Sequence, residues 1–267
     1  MRFVLRLLLL IIVLALIAGI ALWYLPASFA YRYFGDRLGP SVVLQELSGS
    51  ARDGRAGQVL INGFPVGAFD WLVDWRSVLR RQPELTWRLD GDGDAWQASG
   101  TTTRLADGSL QMDNMRMQLP ALLLKPVLDV PALNFLGTVE VQLDVLRLRG
   151  MIIEEARGRA RWFDAGVTGE AQARFGPLSA HFATTAPGHV IGEVEDEGGP
   201  IAVDGQFELI GIRYHAEVIL RPRDPSDPAA LALYYIGQAL PDGGSLLIVD
   251  GELQRQAQPP VGTAPGG

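Results

Sequence analysis

The chain has 267 residues, with 23 Lys+Arg against 30 Asp+Glu, a net charge of −7, and no cysteine. The acidic balance argues against nucleic acid or an anionic membrane surface as the main partner. The missing thiols exclude disulfides, thiolate catalysis and zinc sites built on Cys, which leaves burial and backbone pairing to hold the fold.

The first element is Leu7 to Leu25, 19 uncharged residues preceded by Arg2 and Arg6. At about 1.5 Å per residue it spans roughly 28 Å, close to the hydrocarbon thickness of a bilayer. Thirteen of these residues are Leu, Ile or Val, enough to favour insertion by several kcal/mol. The run closes with Trp23 and Tyr24, whose rings suit the headgroup level. The sequence therefore predicts a transmembrane helix over 7–25. By the positive-inside rule residues 1–6 form a cytoplasmic tail, and everything after about residue 30 lies across the membrane, in a bacterial-type periplasm where the cell has one. A cleaved secretory signal is the alternative, with Ser28-Phe29-Ala30 as its cleavage site, although the apolar run exceeds the usual ~7–15 residues. The mass of the mature chain decides between them. Without Arg2 and Arg6 the exported part holds 21 basic against 30 acidic residues, a net −9.

Residues 26–40 read as a membrane-proximal linker and 41–253 as a periplasmic β domain. Glycine is abundant, at 31 residues, and seven Asp-Gly dipeptides supply the positive φ that tight hairpins require. Between the turns the pattern has period two: Leu85, Trp87, Leu89; Val139, Val141, Leu143, Val145; Tyr214, Ala216, Val218, Leu220. Such alternation marks strands with one buried and one wet face. The phase slips after Leu110 and Met112, where Met115, Met117 and Leu119 follow, and again where Val145 is followed by Leu146 and Leu148. A slip of one residue would send the apolar set to the wrong face, so β-bulges are expected near Asp113-Asn114 and Val145-Leu146. The three prolines between Pro120 and Asn134 permit only short turns. Pro228 to Leu240 reads as one amphipathic helix, ended by Pro241-Asp242-Gly243-Gly244. Residues 254–267 are too rich in Pro and Gly to order themselves and read as a disordered tail.

A weak duplication joins Gly49 to Gly67, ending Phe64-Pro65-Val66-Gly67, with Gly158 to Leu178, ending Phe175-Gly176-Pro177-Leu178. It suggests half repeats over 41–119 and 137–223. A second echo joins Gly198-Gly199 and Asp204-Gly205 with Gly243-Gly244 and Asp250-Gly251. Chance matching of glycines is the alternative.

No catalytic constellation stands out, so the chain is read as no enzyme, with no catalytic, metal or cofactor residues and no cofactor. His181, His189 and His215 each stand alone, without HExxH spacing or a nucleophile elbow. Gly91-Asp92-Gly93 lacks the Gly-Lys-Ser/Thr ending of a phosphate loop. Asp90-Gly91-Asp92-Gly93-Asp94 imitates a calcium loop, but Ala95 and Thr101 stand where that pattern needs Gly and Glu, and a solvated hairpin tip fits better. Trp71, Trp75, Trp87, Trp96 and Trp162 fall in strand-like segments as packing residues. An open sheet could also keep an apolar groove for a lipid chain.

Several stretches in order resemble the type II secretion system protein N family. They are Leu47-Ser48-Gly49-Ser50 with Gly54-Arg55-Ala56; Gly67 with Trp71 and Trp75; Leu119-Pro120; Gly158 to Trp162; Gly198-Gly199-Pro200-Ile201 with Gly205; Tyr214 through Leu220-Arg221-Pro222-Arg223; and Pro241-Asp242-Gly243-Gly244-Ser245-Leu246 with Gly251. The chain has Arg52-Asp53 where the family often carries Trp before its first Gly-Arg-Ala. The resemblance implies an inner-membrane component that assists export of folded proteins through an outer-membrane secretin. It also implies contacts with that secretin or with inner-membrane subunits, and it transfers no site residues, so the partner-binding residues stay unknown.

The fold class expected is mainly β: the transmembrane helix, then an antiparallel curved sheet or flattened sandwich with a weak repeat and one C-terminal helix. The leading function is an accessory scaffold of type II secretion. A bitopic lipid-binding or lipid-transfer protein is the alternative, and an envelope hydrolase a distant third. Strand addition at a free edge is a route to partners, with Ser41-Val42-Val43-Leu44 and the last strand, Ser245 to Leu253, as candidate edges.

Overall fold

The computed structural model describes residues 25–35, 41–91, 95–125, 133–150, 152–169, 172–226, 230, 233 and 236–252. Among these no helix is long and apolar enough to cross a membrane. The expected span lies outside them except for Leu25, as do the tails 1–6 and 254–267. The chain divides into two compact units, residues 1–106 and 107–267. Among the described residues the strands form a single open antiparallel sheet, so the sandwich form is not adopted.

The first unit holds α1 (Ala27–Phe34), β1 (Val42–Gly49), β2 (Asp53–Ile61), β3 (Phe64–Asp74), α2 (Trp75–Leu79), β4 (Glu84–Asp90) and β5 (Gln97–Arg104). α1 forms inside the expected linker, directly after Pro26, a residue that suits a helix start because its missing N–H would be unpaired there anyway. β2 and β3 close through Asn62-Gly63, both at positive φ (53° and 82°), the twist that tight hairpins need. On one face Ala56, Phe69, Leu89 and Ala98 share a rung, and Gly54, Trp71, Trp87 and Gly100 share the next. Trp71 lies so close over Gly54 that a Cβ there would sit 2.5 Å from the indole. Its Nε1 donates to the Ala51 carbonyl at 3.1 Å, and that of Trp87 to Thr102 Oγ1 at 2.9 Å. Trp75 departs from the expectation. It is not a packed strand residue but starts α2 with 41% of its surface exposed, because the Asp74 carboxylate accepts the Arg76 amide at 3.0 Å and turns the chain into a helix.

The second unit holds β6 (Leu110–Pro120), a 3-10 turn (Ala121–Leu124), β7 (Leu133–Arg149), β8 (Ile152–Gly169), β9 (Ala173–Ala186), β10 (His189–Asp196), β11 (Ile201–Ile210), β12 (Arg213–Pro222), β13 (Gln238–Ala239) and β14 (Ser245–Glu252). Neighbours follow chain order to β12, which pairs with β14, and β13 closes onto β14. The two phase slips meet across one strand pair. β6 and β7 keep constant register, Leu110 to Leu148, Met112 to Leu146, Met115 to Leu143, Met117 to Val141, while Asn114 and Asp144 form no paired rung. Asn114 takes φ 52°, so the first expected bulge is a left-handed residue rather than a register shift against β7. The second is a true shift of β7 against β8 between Leu143 and Val145, beside the expected Val145-Leu146. Leu110, Met112, Met115 and Met117 on β6 and Val141, Leu143, Leu146 and Leu148 on β7 stay on one face, while Val145 falls on the other beside Arg157.

That face carries the core: Ile201 and Leu233 (0% and 1% exposed) with Val203, Phe175, Leu178, Leu220 and Ile236. Two glycine pockets repeat the first unit's device. A Cβ on Gly158 would meet Phe182 at 3.0 Å and one on Gly192 would meet Phe207 at 2.4 Å. Six of the thirteen residues of the expected helix over 228–240 lie outside the described residues. Its end, Gln238–Ala239, is strand β13, because Gln238 and Ala239 pair with Leu246 and Ser245, a tertiary pairing that overrides the local pattern.

Candidate interaction surfaces

The polar face of the second unit is built by register. Gln142, Arg159, His181, Glu193, Gln206 and Glu217 lie on successive strands β7 to β12 as one rung. The next rung toward one end runs Val145, Arg157, Ala183, Ile191, Glu208 and His215, reaching Asp250 on β14. Cations therefore gather on β8 and anions on β10 to β14. β9, with Ser179, His181 and Ala183, separates them. A trough of about 740 Å³ opens on this face, with Arg157 and Arg159 on one side and Glu193, Glu208 and Glu217 on the other. Arg159 reaches only the Gln142 side-chain oxygen, at 2.7 Å. Among the described residues Arg157 and Glu193 have no ionic partner. Charges left facing solvent across a concave surface are available to a complementary partner.

The histidines, solitary in sequence, acquire carboxylate neighbours across strands. His189 Nε2 stands 3.3 Å from Glu208, while His215 Nδ1 lies 2.7 Å from Asp250 and its Nε2 3.3 Å from Glu217. Hydrogen bonding to Asp250 and then to Glu217 holds the His215 pKa above its ordinary value, against a smaller desolvation effect. His181 sits between Arg159 and Glu193 on the rung. The expected hairpin tip at Asp90–Asp94 lies partly outside the described residues, and Asp90 itself is bound by Arg88 Nε at 2.8 Å.

Two turns share a clasp that the sequence echo foreshadows. Asp196 accepts the Gly198 amide at 3.0 Å and Asp242 the Gly244 amide at 3.1 Å. Both carboxylates are then gripped from the end of β12, Asp242 by Arg221 at 2.8 Å and Asp196 by Arg223 at 2.5 Å. Burial pushes Asp196 up, but the Val203 amide, Arg223 and the Gly198 amide together hold it below the usual carboxylate range. Arg221 leads the groups that lower Asp242. The Arg221-Pro222-Arg223 motif thus has a structural role.

The two candidate edges differ. The outward amide of Leu44 on β1 donates to the Tyr31 hydroxyl of α1 at 3.2 Å, so α1 partly closes that edge. On β14, β13 covers only Ser245 and Leu246. Among the described residues nothing pairs with the outer edge beyond them, and Ile248 is 41% exposed.

A family model for the type II secretion system (T2SS), protein N, matches residues 40–246. No curated protein and no solved structure matches the chain.

Proposed function

The chain belongs to the protein N family of the type II secretion system, and from that premise we propose that it is a non-catalytic accessory of that machine, anchored in the inner membrane through residues 7–25. Its β-rich part stands in the periplasm and offers a surface to other secretion components, either the outer-membrane secretin or inner-membrane subunits. The observation that carries this reading is the trough of the second unit, where Arg157 on β8 and Glu193 on β10 are exposed and, among the described residues, have no ionic partner, so both are available to a partner of complementary charge. The open length of β14 adds a second contact by strand addition. Photo-crosslinkers placed along residues 41–44, along 245–252 and at His181, in cells that express the whole machine, should capture other secretion components at one of these places. Unchanged exoprotein secretion and unchanged secretin assembly after gene deletion would sink the reading.

One observation favours a second reading. The apolar face of the second unit continues past its core through Met112, Met115, Leu143, Phe182 and Phe207, all only half-buried, and such a surface suits a lipid chain. Native mass spectrometry of the gently purified chain separates the two: a carrier retains lipid and a scaffold does not.

A further inference from the structure

One end of the first unit carries a surface that the proposed function does not use. The Ala51 amide donates to the Leu25 carbonyl at 2.8 Å and Pro26 bridges to Ser50, so residue 25 stands beside the β1–β2 turn. The Val73 amide donates to the Arg52 carbonyl at 2.7 Å, which brings the end of β3 to that turn, and with it α2. α2 is pinned by its one inward residue. Ser77, 1% exposed, donates to the Asp74 carbonyl and accepts the Glu84 amide at 2.8 Å. With Ser77 held inward, Trp75, Val78 and Leu79 are turned out at 41%, 51% and 73% exposure.

Arginines frame these apolar side chains. The Arg76 guanidinium lies 5.7 Å over the Trp75 ring. Arg80 is 69% exposed, with only a 3.8 Å approach to Asp74. Arg81 follows at φ 60°, and Arg104 ends β5 at the same end of the sheet. The acids here are Asp53, Asp74 and Glu84, so this end has a cationic surplus within an acidic chain. The other end is built differently. Its hairpin residues 61–66 expose Phe64 at 72% but carry no basic residue, and it lies about 26 Å away along β1 at ~3.3 Å per residue.

Aromatic and aliphatic side chains exposed among arginines are poorly placed in water and well placed at a lipid headgroup layer, where the ring sits at the interface and guanidinium groups meet phosphate. The 24 residues that precede Leu25 include the apolar run and arrive at this same end. We propose that α2, with Arg80 and Arg81, is a membrane foot that lays Trp75, Val78 and Leu79 into the headgroup layer of an anionic phospholipid leaflet beside the anchor. The foot rests on the anchored reading above. It orients the first sheet with its α2 end down and its Phe64 hairpin away from the bilayer.

The absence of cysteine makes single labelled cysteines unambiguous. The full chain carrying Leu79→Cys or Phe64→Cys, labelled with an environment-sensitive fluorophore, is reconstituted in vesicles of equal parts phosphatidylethanolamine and phosphatidylglycerol. The label at Leu79→Cys should be blue-shifted and quenched several-fold more by headgroup-level spin-labelled lipid than the label at Phe64→Cys. Replacing Arg76, Arg80 and Arg81 by Gln, or omitting phosphatidylglycerol, should at least halve that contrast while leaving the circular dichroism unchanged. Equal aqueous signals from both labels, in a chain that resists alkaline carbonate extraction, would overturn the foot and leave the anchor standing. Extraction by carbonate would overturn the anchor, and the label contrast would still decide the foot.

Discussion

The two units treat their apolar faces alike and their polar faces differently. In the first unit Trp71 lies over Gly54; in the second Phe182 lies over Gly158 and Phe207 over Gly192, so both units set an aromatic ring over a cross-strand glycine. On the polar side the first unit runs Ser48, Arg55, Asp70, Arg88 and Ser99 across β1 to β5. Its charges alternate strand by strand, and Arg55 binds both oxygens of Asp70 at 3.1 and 2.9 Å. The corresponding rungs of the second unit put Arg157 and Arg159 on one strand and Glu193, Glu208 and Glu217 two or more strands away. A face whose charges neutralise their own neighbours has little left to offer a partner. On the second unit His189 and His215 meet Glu208, Glu217 and Asp250, but Arg157 and Glu193 stay exposed without an ionic partner among the described residues, and these two are what that face offers.

The shared feature makes the largest prediction. Trp71→Ala and Phe207→Ala should each cost about 2–4 kcal/mol, read by urea denaturation. A loss below about 0.5 kcal/mol at either site would show that the two apolar faces are not equivalent. The contrast comes next. Arg157→Glu with Arg159→Glu should leave stability within about 0.5 kcal/mol and cut crosslinking to other secretion components by about tenfold, a difference of roughly 1.4 kcal/mol in affinity. Arg55→Glu, which replaces the Arg55–Asp70 pair by two facing carboxylates in the first unit, should leave crosslinking unchanged. Equal effects from both would erase the contrast. Arg223→Gln removes one grip from the half-buried Asp196 and should cost about 1 kcal/mol, measured by the same denaturation. The smallest effect is in pH. The lowered Asp196 and Asp242 contribute stability above their unfolded pKa near 3.9, lost as pH falls through the folded values. The raised His215 contributes below its unfolded pKa near 6.5, lost as pH rises through the folded one. In His215→Gln the alkaline decline should disappear and the acid one remain.

Much of the strand pattern was legible because period two survives in residues such as Leu85, Trp87 and Leu89, and the phase slips at Met112 and Val145 announced irregularities that the structure contains. α2 was not read because five residues, Trp75 to Leu79, offer too little helical period, although Asp74 before them is a capping residue. β13 was not read because two residues become a strand only through Ser245 and Leu246. The trough lay beyond reach for a different reason. Arg159, His181, Glu193, Gln206 and Glu217 are spread over 58 residues, and only the register of five strands makes them neighbours. The clasp at Asp196 and Asp242 was visible as echoed glycines but not as a contact, since Arg221 and Arg223 come from a third strand.

Asn114 and Asp144 face each other on an unpaired rung while β6 and β7 keep constant register on both sides. The consequence concerns insertion and deletion. Removing Asn114 alone would leave Leu110, Met112, Met115 and Met117 in unbroken alternation on β6 but Asp144 with no residue opposite it on β6, and removing Asp144 alone would do the same for Leu143, Leu146 and Leu148 on β7 and for Asn114. Removing both would restore unbroken alternation in the two strands and also erase the shift between β7 and β8. Separated by 30 positions, these two residues keep the β6–β7 register free of a shift only when both are present or both are absent.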